Sequence, residues 1–235
     1  MFPVRVKICG IKSADEAGIA VSAGVNALGF VFADSPRRLT PDQAMTIIKG
    51  IPPFVTKVGV FVNEDAGHVQ DIAKRCGLDT LQFHGEETPE YCRRFPRHNI
   101  IKAVPIANDN KAITQKDLRF YDVDALLLDT YYPHKKGGGG KTFNWDAVCS
   151  IKDQQNIQIP VILAGGLRPE NIIAALNSVQ PFGVDVSSGV ELNGRKDPDK
   201  VKRLMSQVHA WNERYFLETR NFGGEKGERH KEKEC

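Results

Sequence analysis

Eight short apolar runs, each separated from the next by a helical segment, constrain this chain more than any other feature. The runs are 4–10, 26–32, 55–62, 79–83, 99–104, 123–128, 159–163 and 183–187. They recur about every 20 to 35 residues, the length of a strand, a crossover helix and the return to a parallel strand. Right-handed crossovers leave two architectures for such a series, a closed barrel or an open doubly wound sheet. A count of eight favours the barrel, and 235 residues match a fold that takes about 250. The turn after the first run is C-G-I-K and not G-x-G-x-x-G, which removes the main argument for a dinucleotide-binding sheet. The expected fold is therefore α/β, a single-domain (β/α)8 TIM barrel spanning 1–215.

Local signals place the helices. Ser13 followed by Glu16 predicts a capping box and a helix up to Gly24. Thr40 before Pro41 predicts another helix start. Further helices are expected over 64–75, 86–95, 110–120, 144–152, 169–177 and 198–214, with 110–120 the weakest pattern. From 216 to 235 the chain turns glycine-rich and densely charged. This extension buries too little apolar area to offset its ordering entropy, so a frayed helix or a disordered tail is expected.

Composition excludes several function classes. With 41% hydrophobic and 26% charged residues the chain has a globular balance and enough apolar mass for a core. The net charge of +3 is small and spread out, which gives no case for nucleic acid or an anionic membrane, while a small anionic ligand stays open. Cysteines 9, 76, 92, 149 and 235 form no C-x-x-C pair, and neither they nor the histidines cluster as metal ligands. Reduced thiols, no apolar leader and no run of about 18 apolar residues point to a cytoplasmic protein. No metal or other cofactor is expected, and both a monomer and a homodimer are compatible with the fold.

In such a barrel the reactive groups sit at the C-terminal ends of strands and in the loops that follow. Those positions are Cys9, Ser35 to Arg38, Asn63, Gln82, His84, Asp129, Ala164 to Leu167 and Asp185 to Gly189. The loops after strands seven and eight are the most specific signal. Gly165 and Gly166, then Ser187, Ser188 and Gly189, put backbone N–H groups and small hydroxyls where barrels of this class bind phosphate. A tight turn alone also explains the two glycines, and helix capping the serines. Cys9 shares its strand face with Lys7, and Asp185 is expected on the neighbouring strand, so Lys7 and Asp185 are candidates for a buried, structural pair under the mouth. Asp129 follows three leucines and must be partnered or do chemistry. Strands one and six are three steps apart around the ring, so Cys9 and Asp129 face each other across the mouth. Arg37, stiffened by Pro36, suits a carboxylate, though exposed arginines are usually solvated. His84 is balanced between loop hydrogen bonding and substrate contact.

The segments K-I-C-G-I, G-F-V-F…S-P-R, V-G-V-F-V-N, L-Q-F-H-G-E-E, L-L-L-D-T, G-G-G-G-K-T-F-N-W, A-G-G-L and V-D-V-S-S-G-V-E together resemble the phosphoribosylanthranilate isomerases, from about Val4 to His209. The resemblance implies a cofactor-free Amadori rearrangement of N-(5-phosphoribosyl)anthranilate to 1-(2-carboxyphenylamino)-1-deoxyribulose 5-phosphate in tryptophan biosynthesis. It implies Asp129 as general acid on the furanose oxygen and Cys9 as general base at C2′. It also implies Arg37, or in part Arg38 next to it, on the anthranilate carboxylate, and the A-G-G-L and S-S-G loops on the phosphate. Sister barrels such as indole-glycerol-phosphate synthase or the histidine-pathway isomerase fit less well. The first calls for a catalytic lysine at a strand end, the second for an aspartate in place of Cys9. A phospho-ligand binding protein without turnover is opposed by the presence of both Cys9 and Asp129. At pH 7 an ordinary aspartate keeps its proton in about one molecule per thousand and an ordinary cysteine is thiolate in about 3%. Both groups therefore need help from their surroundings, and Lys7 or the dipole of the following helix is the expected source for Cys9.

Overall fold

The computed structural model describes residues 2–106, 117–129 and 145–224. Eight parallel strands hydrogen-bond in sequence order and close on themselves: β1 (Arg5–Cys9), β2 (Ala27–Val31), β3 (Thr56–Phe61), β4 (Thr80–Phe83), β5 (Asn99–Pro105), β6 (Ala125–Asp129), β7 (Val161–Ala164) and β8 (Gly183–Val186). The β1–β8 seam pairs Lys7 with Asp185. This is the expected (β/α)8 barrel, each strand falling within a residue or two of its predicted run. Its outer wall is α1 (Ala14–Ser22), α2 (Pro41–Ile48), α3 (Ala66–Cys76), α4 (Pro89–Cys92), α5 (Trp145–Gln154), α6 (Ile172–Val179) and α7 (Pro198–Gly224).

Closure explains why a buried strand alternates charged and apolar residues. Val6 and Ile8 point outward into the layer between strands and helices, together with Leu28, Phe30, Leu126, Leu128, Val184 and Val186. The opposite face of each strand lines the interior. There Val58, Ile101, Ala103, Ala125, Leu127, Ile162 and Ala164 form one apolar cluster, and Cys9, Val31 and Val60 a second. Among the described residues, Lys7, Thr80, Gln82 and Asp185 are buried polar residues of that face. A single antiparallel sheet would have turned its charges to water, whereas the barrel turns them inward.

Several local expectations are corrected. Ser13 does cap α1 by accepting from the Glu16 N–H, but the capping box is not completed. The buried Glu16 carboxylate accepts instead from the N–H groups of Lys12 and Lys196. The full box occurs at α2, where Thr40 and Gln43 exchange bonds. The helix predicted over 86–95 shrinks to Pro89–Cys92. Its intended first turn is consumed by Glu87, which is drawn inward to Lys102 at 2.8 Å, and Pro96 disfavours helix in the residue before it. The predicted 169–177 helix begins only at Ile172, because Asn171 spends its side chain on the Arg168 N–H and the Gly166 carbonyl. Of the predicted 110–120 helix the described residues include a 3-10 turn, Leu118–Phe120, and the rest lies outside them. The last helix passes the expected end at 214 and continues to Gly224. Residues 225–235 lie outside the described part, as does the glycine-rich loop at 137–140.

Two features beyond the plain barrel bear on the site. A hairpin, β9 (Glu191–Leu192) and β10 (Arg195–Lys196), follows β8. It turns on Asn193 and Gly194, both at positive φ, the signature of a type I′ turn. No helix among the described residues is long and apolar enough to cross a membrane.

Candidate active site

The C-terminal ends of the strands bring most of the expected residues to one mouth. Cys9 ends β1 and is almost wholly buried. Directly beneath it the Lys7 ammonium lies 2.9 Å from Asp185 Oδ1, both side chains being under a tenth exposed. The expected pair is therefore present, and its ammonium lies beside the thiol, both flanking Gly29. This arrangement depends on Gly29 of β2, which stands opposite Cys9 in the register. A Cβ at Gly29 would lie 2.8 Å from Cys9 Sγ and 3.0 Å from Lys7 Nζ. Only a residue without a side chain leaves room for thiol and ammonium side by side.

Burial pushes the Cys9 thiol above its ordinary range; the Lys7 and Lys196 ammoniums pull it back, and Asp185 opposes them. The net direction is upward, so the resting site holds a thiol whose conversion to thiolate is assisted by two cations. Burial lowers the proton affinity of Lys7, but Asp185 and then Cys9 together outweigh it and raise it above its ordinary value. The expected source of positive charge was thus half complete: Lys7 takes part, and Lys196 was missed. Lys196 comes from β10, where its buried Nζ reaches Glu191 Oε1 at 2.8 Å and the Ser187 carbonyl at 3.1 Å. Burial lowers its proton affinity.

Arg37 is held by the same hairpin. Its Nε and Nη2 each donate to Glu191 at 2.8 Å in a bidentate fork. Two of the five guanidinium N–H groups are so used. The Arg37 fork, with Lys196, depresses the Glu191 carboxyl to about 2. Arg38 next to it is exposed, so of the two arginines Arg37 is the one built into the site. The sequence reading missed Glu191 and Lys196, although Asn193-Gly194 between E-L and R-K was a hairpin signal that would have placed them.

Asp129 ends β6, about a fifth exposed, with Oδ2 3.3 Å from His84 Nε2. The other ring nitrogen of His84, Nδ1, lies 3.2 Å from the amide nitrogen of Gln82. The loop carrying His84 is pinned from behind. Lys102 donates to the carbonyls of Phe83 and Gly85 and to Glu87, while Glu87 accepts from the N–H groups of Asn63 and Gly85. The structure thus pairs His84 with Asp129, and its rigid loop was not foreseen.

The loops after β7 and β8 are the remaining side of the mouth. Gly165 and Gly166 both take positive φ, 93° and 61°, conformations that L side chains avoid. Gly189 lies so close to this turn that a Cβ on it would run into the Leu167 carbonyl oxygen. The two glycine-bearing loops are therefore pressed together. The Ser187 hydroxyl donates to the Cys9 carbonyl at 3.1 Å, tying the β8 loop to β1. Asp185, expected among the binding residues, sits a layer lower with Lys7. Among the described residues no group of three or more His, Cys, Asp or Glu side chains could hold a metal ion.

Comparison with known proteins gives a consistent set of relatives. Residues 6–207 match the family described as N-(5′-phosphoribosyl)anthranilate (PRA) isomerase. The N-(5′-phosphoribosyl)anthranilate isomerase of Desulforudis audaxviator is 52% identical over 200 residues, 85% of this chain and 95% of that protein. The phosphoribosyl anthranilate isomerase structure from Thermotoga maritima is similar at 41% identity and a TM-score of 0.78, covering 88% of this chain and 99% of that one. A further structure of such an isomerase, at 38% identity and a TM-score of 0.75, covers the same 88% of this chain and 99% of its own. It was solved in complex with reduced 1-(o-carboxyphenylamino)-1-deoxyribulose 5-phosphate.

Proposed function

Because this chain belongs to the phosphoribosylanthranilate isomerase family, we propose that Cys9 and Asp129 divide the base and acid work of its reaction. The enzyme is an intramolecular isomerase of tryptophan biosynthesis. It carries N-(5-phosphoribosyl)anthranilate through an Amadori rearrangement to 1-(2-carboxyphenylamino)-1-deoxyribulose 5-phosphate. Two proton transfers are needed, one to the furanose oxygen so that the ring opens to a Schiff base, and one from C2′ so that an enolamine forms and tautomerises to the ketone. Asp129 gives the first proton and Cys9 takes the second.

The observation that carries this division is the electrostatic contrast between the two groups. Cys9 has ammonium groups around it and Asp129 has an imidazole, so each is next to the partner its role calls for. The thiol is raised by burial, and a protonated Schiff base bound in the mouth adds a third cation beside it at the moment the base is needed. Gly165, Gly166, Ser187, Ser188 and Gly189 hold the phosphate, chiefly through backbone N–H groups, as the positive φ values and the close approach of the two loops favour. Arg37, preset by Glu191, offers its remaining N–H groups to the anthranilate carboxylate. The catalytic unit spans residues 1–215, acts without a cofactor and suits the cytoplasm, where its thiols stay reduced.

The test is the fluorescence decay of freshly made phosphoribosylanthranilate with the wild type, Cys9→Ser and Asp129→Asn. Both variants are expected to retain phosphate affinity and lose turnover. Wild-type turnover in either removes that residue from its role.

A further inference from the structure

Gln82 is fully buried on the inner face of β4, and its amide is only half used. The nitrogen lies against His84 Nδ1, while among the described residues Oε1 has no hydrogen-bond partner. In this orientation the amide donates to Nδ1, so the imidazole proton must sit on Nε2, the ring nitrogen 3.3 Å from Asp129 Oδ2. Asp129 is then held as a carboxylate. Resting on the reading of Asp129 as the acid, this is the unloaded state of the enzyme.

An amide is nearly the same shape when turned by 180°, and here either orientation leaves one end without a protein partner, so neither is locked. Turned over, Oε1 accepts from a proton on Nδ1. Nε2 is then a lone pair, and the only complement for it on Oδ2 is an O–H. We propose that Gln82 and His84 are positioning residues that load Asp129 with its proton, the Gln82 amide acting as the two-position switch that sets the His84 tautomer. The two states differ by one proton. Loading takes a proton from solvent at Nδ1 of the partly exposed ring, while the Nε2 proton crosses to Asp129. Donation to the substrate oxygen leaves one proton on the pair, which returns to Nε2 by exchange with solvent as the amide turns back.

Among the described residues, Asp129, Lys102 and Glu87 are the charged groups closest to this relay. Asp129 faces His84 from β6. Lys102 of β5 sits behind the loop, on the Phe83 and Gly85 carbonyls, and is neutralised by Glu87 of the same loop. None of them supplies a second route to Nδ1.

The experiment combines 15N NMR of labelled histidine with kcat and KM in the wild type, Gln82→Leu and Gln82→Glu. In the wild type His84 is expected as a single Nε2–H tautomer. Leu removes the group that selects it, so the ring averages between tautomers. Glu only accepts, so the ring holds the Nδ1–H form. In both variants kcat falls by about 10-fold, with KM within about twofold. A wild-type imidazole averaging between tautomers overturns the proposal and needs no variant to fold. So does a wild-type kcat in a variant whose His84 tautomer has moved. Wild-type turnover in Asp129→Asn would instead remove the acid itself, a separate failure from that of the relay.

Discussion

The two mouths of the barrel differ in a way that shape alone would misjudge. Under the N-terminal mouth lies a cavity of about 370 Å³, lined by Ala27, Val58, Ile101, Ile162, Phe182 and Val184 among others. It is the kind of concave, largely apolar hollow that ligand sites favour. Phe54 stands fully exposed at its rim. The C-terminal mouth holds Cys9, His84, Asp129, Arg37, Glu191 and Lys196, each already engaged by a neighbour. Lys7 belongs to both, since it lines the lower cavity from above and supports Cys9 from below. Chemistry is recognised by this convergence of titratable groups, and the lower cavity is what remains where small residues such as Ala27, Thr80 and Gly183 cannot fill the end of a barrel.

That contrast can be broken at several points. The largest expected effects are at the upper mouth, where Asp129→Asn and Cys9→Ser each lower kcat by about 10² to 10⁴, with KM little changed, in a steady-state assay. Gly29→Ala is next. Its methyl group would meet Sγ at 2.8 Å and Nζ at 3.0 Å, so kcat falls by about 10- to 100-fold as the thiol is displaced. Thermal unfolding at pH 7 distinguishes this from a folding defect, since the enzyme is expected to remain cooperatively folded. A smaller effect is read as stability against pH. The Glu191 carboxyl, ordinarily near 4.5, lies at about 2 in the folded protein. Its stabilisation is complete above 4.5 and lost as pH falls towards 2. The Tm difference between the wild type and Glu191→Gln is therefore constant from pH 5 to 8 and shrinks below 4.5. An acid-independent difference would show that the Arg37 fork does not hold the hairpin. The smallest effect is at the lower mouth, where Phe54→Asn leaves kcat and KM within about twofold. A larger kinetic change there would mean that the two ends are coupled through Lys7.

How much of this was legible in the chain depended on whether a residue's partner was near in sequence or implied by the ring. The strands were legible because each is buried on both faces and reads as a short apolar run. The pairing of Lys7 with Asp185 followed from alternation along β1 and from the closure that makes β8 its neighbour. The end of α7 was not legible, because the charged residues after 214 can solvate a helix as readily as a coil. Nor was the fate of Glu87, whose carboxylate completes a buried ion pair with Lys102 fifteen residues on where a surface helix was expected. Gln82 and Gly29 were hidden for a different reason. Each matters through the space beside another side chain, and that space exists only once β1, β2 and β4 curve into one wall.

The close approach of Gly189 to the Leu167 carbonyl has a consequence for recombination between barrels. Half-barrels and single βα units are natural pieces to exchange, but here the seventh and eighth units share a joint with no room for a methyl group. A fragment that brings a foreign β7–α6 turn has to bring the β8 loop fitted to it. A crossover placed between Leu167 and Gly189 would produce chains that keep both loops and lose the fit between them.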